Sequence, residues 1–284
     1  MAHCHGCVGI KNIPEDAKKI VLAGNPNTGK SVFFNYFTGM YVDVSNYPGT
    51  TLEISHGLYG SDVIIDTPGV YGISSFNDEE RIARDIILSA DMVINIVDAV
   101  HLERDLFLTQ QIIDTGIPVI VALNMVDEAE KHGLTIDVDL LSDLLGVPVV
   151  PTVAVQKKGL GELKARLSSA RTGRMTLGLD TLMDRLVNRV GSRGEALLVL
   201  EGDQVVADRH GLKPENHREK IYLKRREQVN DIVKHVLRET SGRASFGNLL
   251  GRLMIKPATG LPILALALYA MYQVIGVFIA GTVV

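Results

Sequence analysis

Eight residues, GNPNTGKS from Gly24 to Ser31, restrict the fold of this 284-residue chain more than any other stretch. They fit the pattern G-x-x-x-x-G-K-[ST], follow the branched apolar run KIVLA, and lead into VFFNYFTG, an apolar helical start. Strand, glycine-bearing loop and helix in that order form a cradle for phosphate. Gly24 and Gly29 let the backbone turn tightly, so the loop of Asn25, Pro26, Asn27 and Thr28 can wrap an anion with its N–H groups turned inward. The helix starting near Lys30 adds the positive end of its dipole. Lys30 is expected to bridge the β- and γ-phosphates, and the Ser31 hydroxyl to ligate Mg2+.

Such a loop belongs to a sheet covered on both faces, and the flanking sequence supplies one. KIVLAG, DVIIDTPG, MVINIVDA, PVIVALN and VPVVPTVA are apolar and branched, as doubly covered strands should be. Between them, DEERIARDIILSA and ERDLFLTQQIIDTG read as amphipathic helices. The alternation predicts a doubly wound, mostly parallel α/β sheet over residues 19–171, with the phosphate loop after its first strand. Beyond Thr172 the strand-like runs fade. LDTLMDRLVNRVG and REKIYLKRREQVNDIVKHVLRET carry apolar residues at three- and four-residue intervals, which predicts a small helical domain over 172–255. GEALLVLEGD between them suits helix or strand, and the charge-rich stretch from Arg218 to Glu239 reads as a solvated face.

After Lys256 no charged residue occurs. LPILALALYAMYQVIGVFIAGTVV is long enough to span roughly 30 Å of hydrocarbon as a helix, so 256–284 is expected to cross a membrane once. Arg243, Arg252 and Lys256 precede it and place the rest of the chain on the cytoplasmic side. The chain reads as the front of a longer membrane protein.

Three further segments bear on the phosphate loop. DTPG, from Asp66 to Gly69, ends a strand where open α/β sheets place ligand chemistry. Asp66 can hold Mg2+ through water, and the Gly69 N–H can sense a γ-phosphate. NMVD, from Asn124 to Asp127, ends another strand on the same edge. Asp127 can accept from guanine N1–H and the exocyclic amine, donors that adenine lacks, while Asn124 braces the loop and contacts N7. Met125 stands where a lysine is usual, and its stem can still cover the base. The backbone amides of Ala154 and Val155 are expected to meet guanine O6. Four motifs in this order define a guanine-nucleotide site.

Between the first two motifs, VSNYPGTTLEISHG offers Thr50 and Thr51 to complete the Mg2+ shell; Thr51, directly before LEISHGLY, is preferred. After DTPG stands Val70, where many GTPases carry a glutamine that orients the attacking water. Hydrolysis must then be slow or assisted. The Asn27 carbonyl can help bind K+ beside the β- and γ-phosphates, in the electrostatic place of an arginine finger. Lys30, Asn27, Thr51 and Gly69 are therefore the expected catalytic set.

A net charge of −4 argues against a dedicated nucleic-acid binder. The two cysteines, Cys4 and Cys7, cannot brace the fold, which points to a reducing compartment, and residues 1–18 lack the apolar core of a signal peptide. That segment reads as a flexible tail. Its His3, Cys4, His5 and Cys7 suit a borderline metal such as Fe2+ or Zn2+, although ligands this close seldom all reach one tetrahedral ion.

With GNPNTGKS, YPGTT, DTPGVYGI and INIVDAVHLERDLFLTQQIIDTGIPVIVALNMVDEAEKHG, followed by helices and an apolar span, the chain resembles the N-terminal part of the ferrous iron transport protein B family. The resemblance covers nearly all of the chain. It implies a cytosolic G domain, a helical domain resembling a nucleotide-dissociation inhibitor, and the first membrane span of an inner-membrane Fe2+ transporter. It also implies GTP hydrolysis to GDP and phosphate, activation by K+ through Asn27, and the roles given above to Lys30, Ser31, Thr51, Asp66, Asn124 and Asp127. The partners it implies are the remainder of the transporter and a small cytosolic accessory iron-transport protein. Two other readings stay open: a soluble GTPase of RNA or ribosome maturation, and a GTP sensor without useful turnover.

Overall fold

The computed structural model of the protein describes residues 16–39, 43–46, 53–74, 78–176, 178–239, 253–254 and 256–279. The strands of its main sheet are β1 (Lys19–Gly24), β2 (Asp43–Asn46), β3 (Glu53–Tyr59), β4 (Asp62–Asp66), β5 (Met92–Asp98), β6 (Val119–Asn124) and β7 (Val149–Pro151), and the short strands Leu134–Ile136 and Leu237–Glu239 pair separately. The helices around them are α1 (Lys30–Thr38), α2 (Asp78–Leu88), α3 (Leu102–Asp114), α4 (Val126–Lys131), α5 (Val138–Leu145) and α6 (Leu160–Ala165). The seven strands form one sheet in the order β2-β3-β4-β1-β5-β6-β7. β4, β1, β5, β6 and β7 run parallel, and β2 and β3 add an antiparallel edge.

Strand periodicity divides the core cleanly. In β1, Val21 and Ala23 face one apolar cluster with α2, α3 and α5, while Ile20 and Leu22 face the other with Phe33, Phe34 and Phe37 of α1 and Leu160 and Leu163 of α6. Every residue of β6 is buried, which is why VIVALN shows no alternation. β2 went unread in the sequence because DVSN is short and polar; it is held as an edge strand by pairing Asp43–Asn46 with Glu53–His56.

The helices α7 (Asp180–Val190), α8 (Arg193–Leu200) and α9 (Gln204–Arg209) form a third cluster, closed by Ile221 of α10 (Arg218–Val236). GEALLVLEGD is thus largely helix, capped by Ser192, whose hydroxyl accepts from the Glu195 amide at 3.4 Å. The α10 stretch is not solely a solvated face. Ile221, Arg225, Val229, Ile232 and Val236 are buried at three- to four-residue spacing, and the last three apolar residues join the cluster of α2, α3 and α5.

Chain contacts divide the molecule into two compact units, Met1–Arg238 and Glu239–Val284. In the second, α11 (Pro257–Met271) continues as π-helix over Tyr272–Ile279. Its segment Pro257–Ile275, with mean hydropathy 1.6 over its most apolar window and none of that window buried, is long and apolar enough to cross a membrane. Pro257 sits in its first turn, where a missing N–H costs nothing.

Candidate nucleotide site

The parallel register brings the ends of β1, β4, β5 and β6 to one edge of the sheet: Leu22 lies beside Asp66, Gly24 beside Ile96, and Asp98 beside Asn124. The loop from β1 to α1 is therefore flanked by Asp66 on one side and Asn124 on the other. A Cβ on Gly24 would lie 2.5 Å from the Ile96 carbonyl oxygen, so only glycine lets β1 leave the sheet this close to β5. Gly29 and Asn27 hold φ of 93° and 66°, and asparagine tolerates that left-handed turn better than most residues.

The Lys30 ammonium is buried and donates to the carbonyls of Gly24 (3.0 Å) and Asn25 (2.9 Å). The Thr28 hydroxyl donates to the same Asn25 carbonyl at 3.0 Å. Gly69 follows DTP close against this loop: a Cβ there would lie 2.9 Å from Lys30 Nζ and 2.9 Å from Pro26 Cα. Ser31 occupies the first turn of α1 directly after Lys30, on the exposed side. Burial lowers the Lys30 pKa, against the opposing pull of the Asp66 and Asp105 carboxylates. Burial also raises Asp66 to about 6, opposed by the Lys30 charge and the Thr67 backbone N–H.

Asp66 Oδ1 is buried with no hydrogen-bond partner among the described residues. A desolvated, unpaired carboxylate oxygen at a strand end beside a phosphate loop fits a hard divalent cation such as Mg2+. In buffer free of metal and nucleotide, the protonated Asp66 favours the folded state. That contribution is fully present below the ordinary pKa of 3.8 and is lost as pH rises through about 6. Its size is about 3 kcal/mol from the shift. Thermal unfolding at pH 5 and pH 7 should therefore show a larger loss of stability in the parent than in Asp66→Asn; equal losses would rule the shift out.

Asn124 ties three segments together. Its Nδ2 donates to the Thr28 carbonyl at 3.0 Å, and its Oδ1 accepts from the Ala154 amide at 3.0 Å and the Thr152 hydroxyl at 3.2 Å. The Ala154 N–H, expected to face a base oxygen, is thus committed to bracing the loop. Val155 beside it is 80% exposed. Met125 takes the left-handed conformation (φ 62°) that turns the chain from β6 into α4, and it is partly buried. Asp127, also partly buried, accepts from Gln156 Nε2 at 3.2 Å. Asn27 is exposed at the loop tip, and Val70 is 2% exposed and packed into the core.

Thr50 and Thr51 lie outside the described residues, as do His3, Cys4, His5 and Cys7. Two participants were absent from the sequence reading. Asp105 of α3 accepts from Asn25 Nδ2, and Gln111 Oε1 accepts from the Ile73 amide at 3.1 Å, pinning the segment after DTPG. Both lie in an amphipathic helix, and their only local signal is a polar residue on its buried face.

The sheet order, the loop and the four converging strand ends define a P-loop nucleotide domain of the GTPase type. Residues 18–167 match the family model described as ferrous iron transport protein B. The Fe(2+) transporter FeoB of Escherichia coli K12 is 31% identical over 293 residues, covering 89% of this chain and 38% of that protein. A Porphyromonas gingivalis Fe(2+) transport protein A/FeoB fusion is 44% identical over 55% of this chain and 19% of its own length. The chain thus spans well under half of these relatives. Among solved structures, a GDP-bound S. thermophilus FeoB G-domain variant superposes with TM-score 0.70 at 32% identity, over 78% of this chain and 100% of that one. The cytosolic domain of T. maritima FeoB in a GDP form gives 0.68 at 33% identity, over 79% and 100%. The chain belongs to the ferrous iron transport protein B family.

Proposed function

We propose that this chain is the GTP-binding and GTP-hydrolysing portion of a ferrous iron transporter. The observation that carries the reading is that the buried, unpartnered Asp66 oxygen and the buried Lys30 ammonium both lie at one glycine-bearing loop. In this reading the domains follow the ranges 19–171 (G domain), 172–255 (helical) and 256–284 (membrane span). The cytosolic domains face the cytoplasm and the span lies in the inner membrane. The family membership favours this over ribosome maturation, and the P. gingivalis fusion favours an accessory partner resembling Fe(2+) transport protein A.

On GTP binding, the Lys30 ammonium exchanges its two carbonyl acceptors for β- and γ-phosphate oxygens, a move of one flexible side chain. The N–H groups of Asn25, Asn27, Thr28 and Gly29 and the start of α1 surround the phosphates. Gly69, in contact with Lys30 and Pro26, brings its N–H to the γ-phosphate and so couples the segment after DTPG to the nucleotide state. Ser31, Asp66 and Thr51 are the residues that would hold Mg2+, which when bound would neutralise phosphate charge. Asp127 reads guanine, with Asn124 fixing the loop that carries Val155. Buried Val70 cannot orient water, and Asn27, exposed at the loop tip, would instead help hold K+ through its carbonyl.

The test is GTP turnover by the full chain in detergent micelles, in potassium and in sodium, for the parent and for Asn27→Ala. The expected result is faster turnover in potassium, by tenfold or more, and loss of that difference in the variant. Equal rates in both salts remove the K+ assignment. Tight GTP binding without turnover in either salt supports the sensor reading, which the buried Val70 favours.

A further inference from the structure

We propose that Asp105 is a positioning residue for this nucleotide site: from α3 it fixes Asn25, and through Asn25 the carbonyl that holds the Lys30 ammonium. The inference rests on the GTP-site reading above and adds a residue outside its four motifs.

Asp105 is 1% exposed, and both of its oxygens are used. Oδ1 accepts from Asn25 Nδ2 at 2.7 Å and from Arg104 Nε at 2.8 Å, while Oδ2 accepts from the Asp98 backbone N–H at 2.9 Å. One carboxylate, 80 residues along the sequence from Asn25, therefore joins that loop residue to the end of β5. Asn25 is itself 1% exposed, and its Oδ1 has no hydrogen-bond partner among the described residues. A free asparagine would rotate to satisfy that oxygen. Asp105, an acceptor only, selects the orientation that places Nδ2 against it and leaves Oδ1 unpaired.

The held residue matters because of its main chain. The Asn25 carbonyl accepts from Lys30 Nζ at 2.9 Å and from the Thr28 hydroxyl at 3.0 Å. Moving the Asn25 side chain moves this peptide, and with it the point from which Lys30 reaches the phosphates. The Asp105 charge also opposes the loss of the Lys30 proton that burial favours. Beyond the loop, Arg104, which donates to Asp105, lies over the Tyr71 ring at 5.8 Å and so reaches the segment after DTPG. A displaced rather than deleted phosphate-binding lysine weakens transition-state stabilisation more than binding, because phosphoryl transfer depends on its placement.

The test compares the parent, Asp105→Ala and Asp105→Asn, each as the full chain in detergent. Asp105→Ala removes the hold on Asn25. Asp105→Asn keeps it, because its amide can donate to the Asn25 Oδ1 once that side chain turns over, while its own oxygen still accepts from the Asp98 N–H. Expected are a roughly tenfold lower turnover at saturating GTP for Asp105→Ala, with GDP affinity changed less than threefold, and recovery of most of that turnover in Asp105→Asn. Parental turnover in Asp105→Ala, or an Asp105→Asn variant no better than it, overturns the proposal. A parent that binds no GTP overturns the site reading itself, so the two failures are distinguished by the parent alone.

Discussion

Replacing Arg225 with methionine is expected to destabilise the unit Met1–Arg238 by about 3–5 kcal/mol, the cost of leaving buried charge unpaired. Arg225 lies on α10 with its side chain 2% exposed. It donates to Asp114 of α3 at 2.8 Å and to Glu201, just after α8, at 3.1 Å. Those carboxylates are 0% and 4% exposed, so neither can turn to water when the guanidinium is removed. Asp114 keeps partial compensation from the Thr176 amide and hydroxyl, both at 2.8 Å, and from Gln110 at 3.2 Å. Glu201 keeps the Ser74 hydroxyl. Methionine fills the volume against Phe107, so the loss isolates charge rather than packing. At roughly 2–4 °C per kcal/mol for a unit of this size, the thermal midpoint should fall by about 10 °C. A fall of only a degree or two would mean that Asp114 and Glu201 are far better solvated than their burial implies.

The same network carries a functional consequence. Ser74 follows DTPG by five residues, and its hydroxyl bonds Glu201, while Gln111 Nε2 reaches Ser74 at 3.4 Å. A movement of that segment would thus be felt at the α8 end and at α10 through charged, buried contacts that have few alternative partners.

Much of this was legible in the chain and some was not, for identifiable reasons. The strand run KIVLAG and the loop GNPNTGKS announce themselves because their chemistry is local: branched residues for a covered sheet, glycines for a tight turn. The edge to which Asp66 and Asn124 belong followed from parallel strands alone. Asp105, Gln111, Asp114 and Arg225 did not, because each acts on a partner 38 to 111 residues away, which no periodicity encodes. Arg225 was also concealed by its neighbours. In KRREQ a buried guanidinium looks like one more surface charge, and only the four-residue step from Ile221 to Arg225 to Val229 marks it as inward-facing.

Asp127→Asn should lower GDP affinity by about 100- to 1,000-fold while raising affinity for the xanthine analogue. A carboxylate at position 127 offers two acceptors to the guanine N1–H and exocyclic amine. Asparagine offers one acceptor and one donor, so it meets the amine with a second donor. Losing one charge-assisted bond and leaving a polar pair opposed costs about 3–4 kcal/mol. Xanthine carries a carbonyl oxygen where guanine carries the amine, and the new amide donor matches it. Partial burial of Asp127 limits rescue by water, and Gln156, whose amide donates to Asp127 Oδ2 at 3.2 Å, can rotate to accept from the new group. The effect is therefore one of base recognition with the fold retained. Competition between GDP and XDP on the two proteins reads it directly. Loss of GDP binding with no gain for XDP would indicate a collapsed loop, and unchanged GDP binding would take the base away from Asp127 altogether.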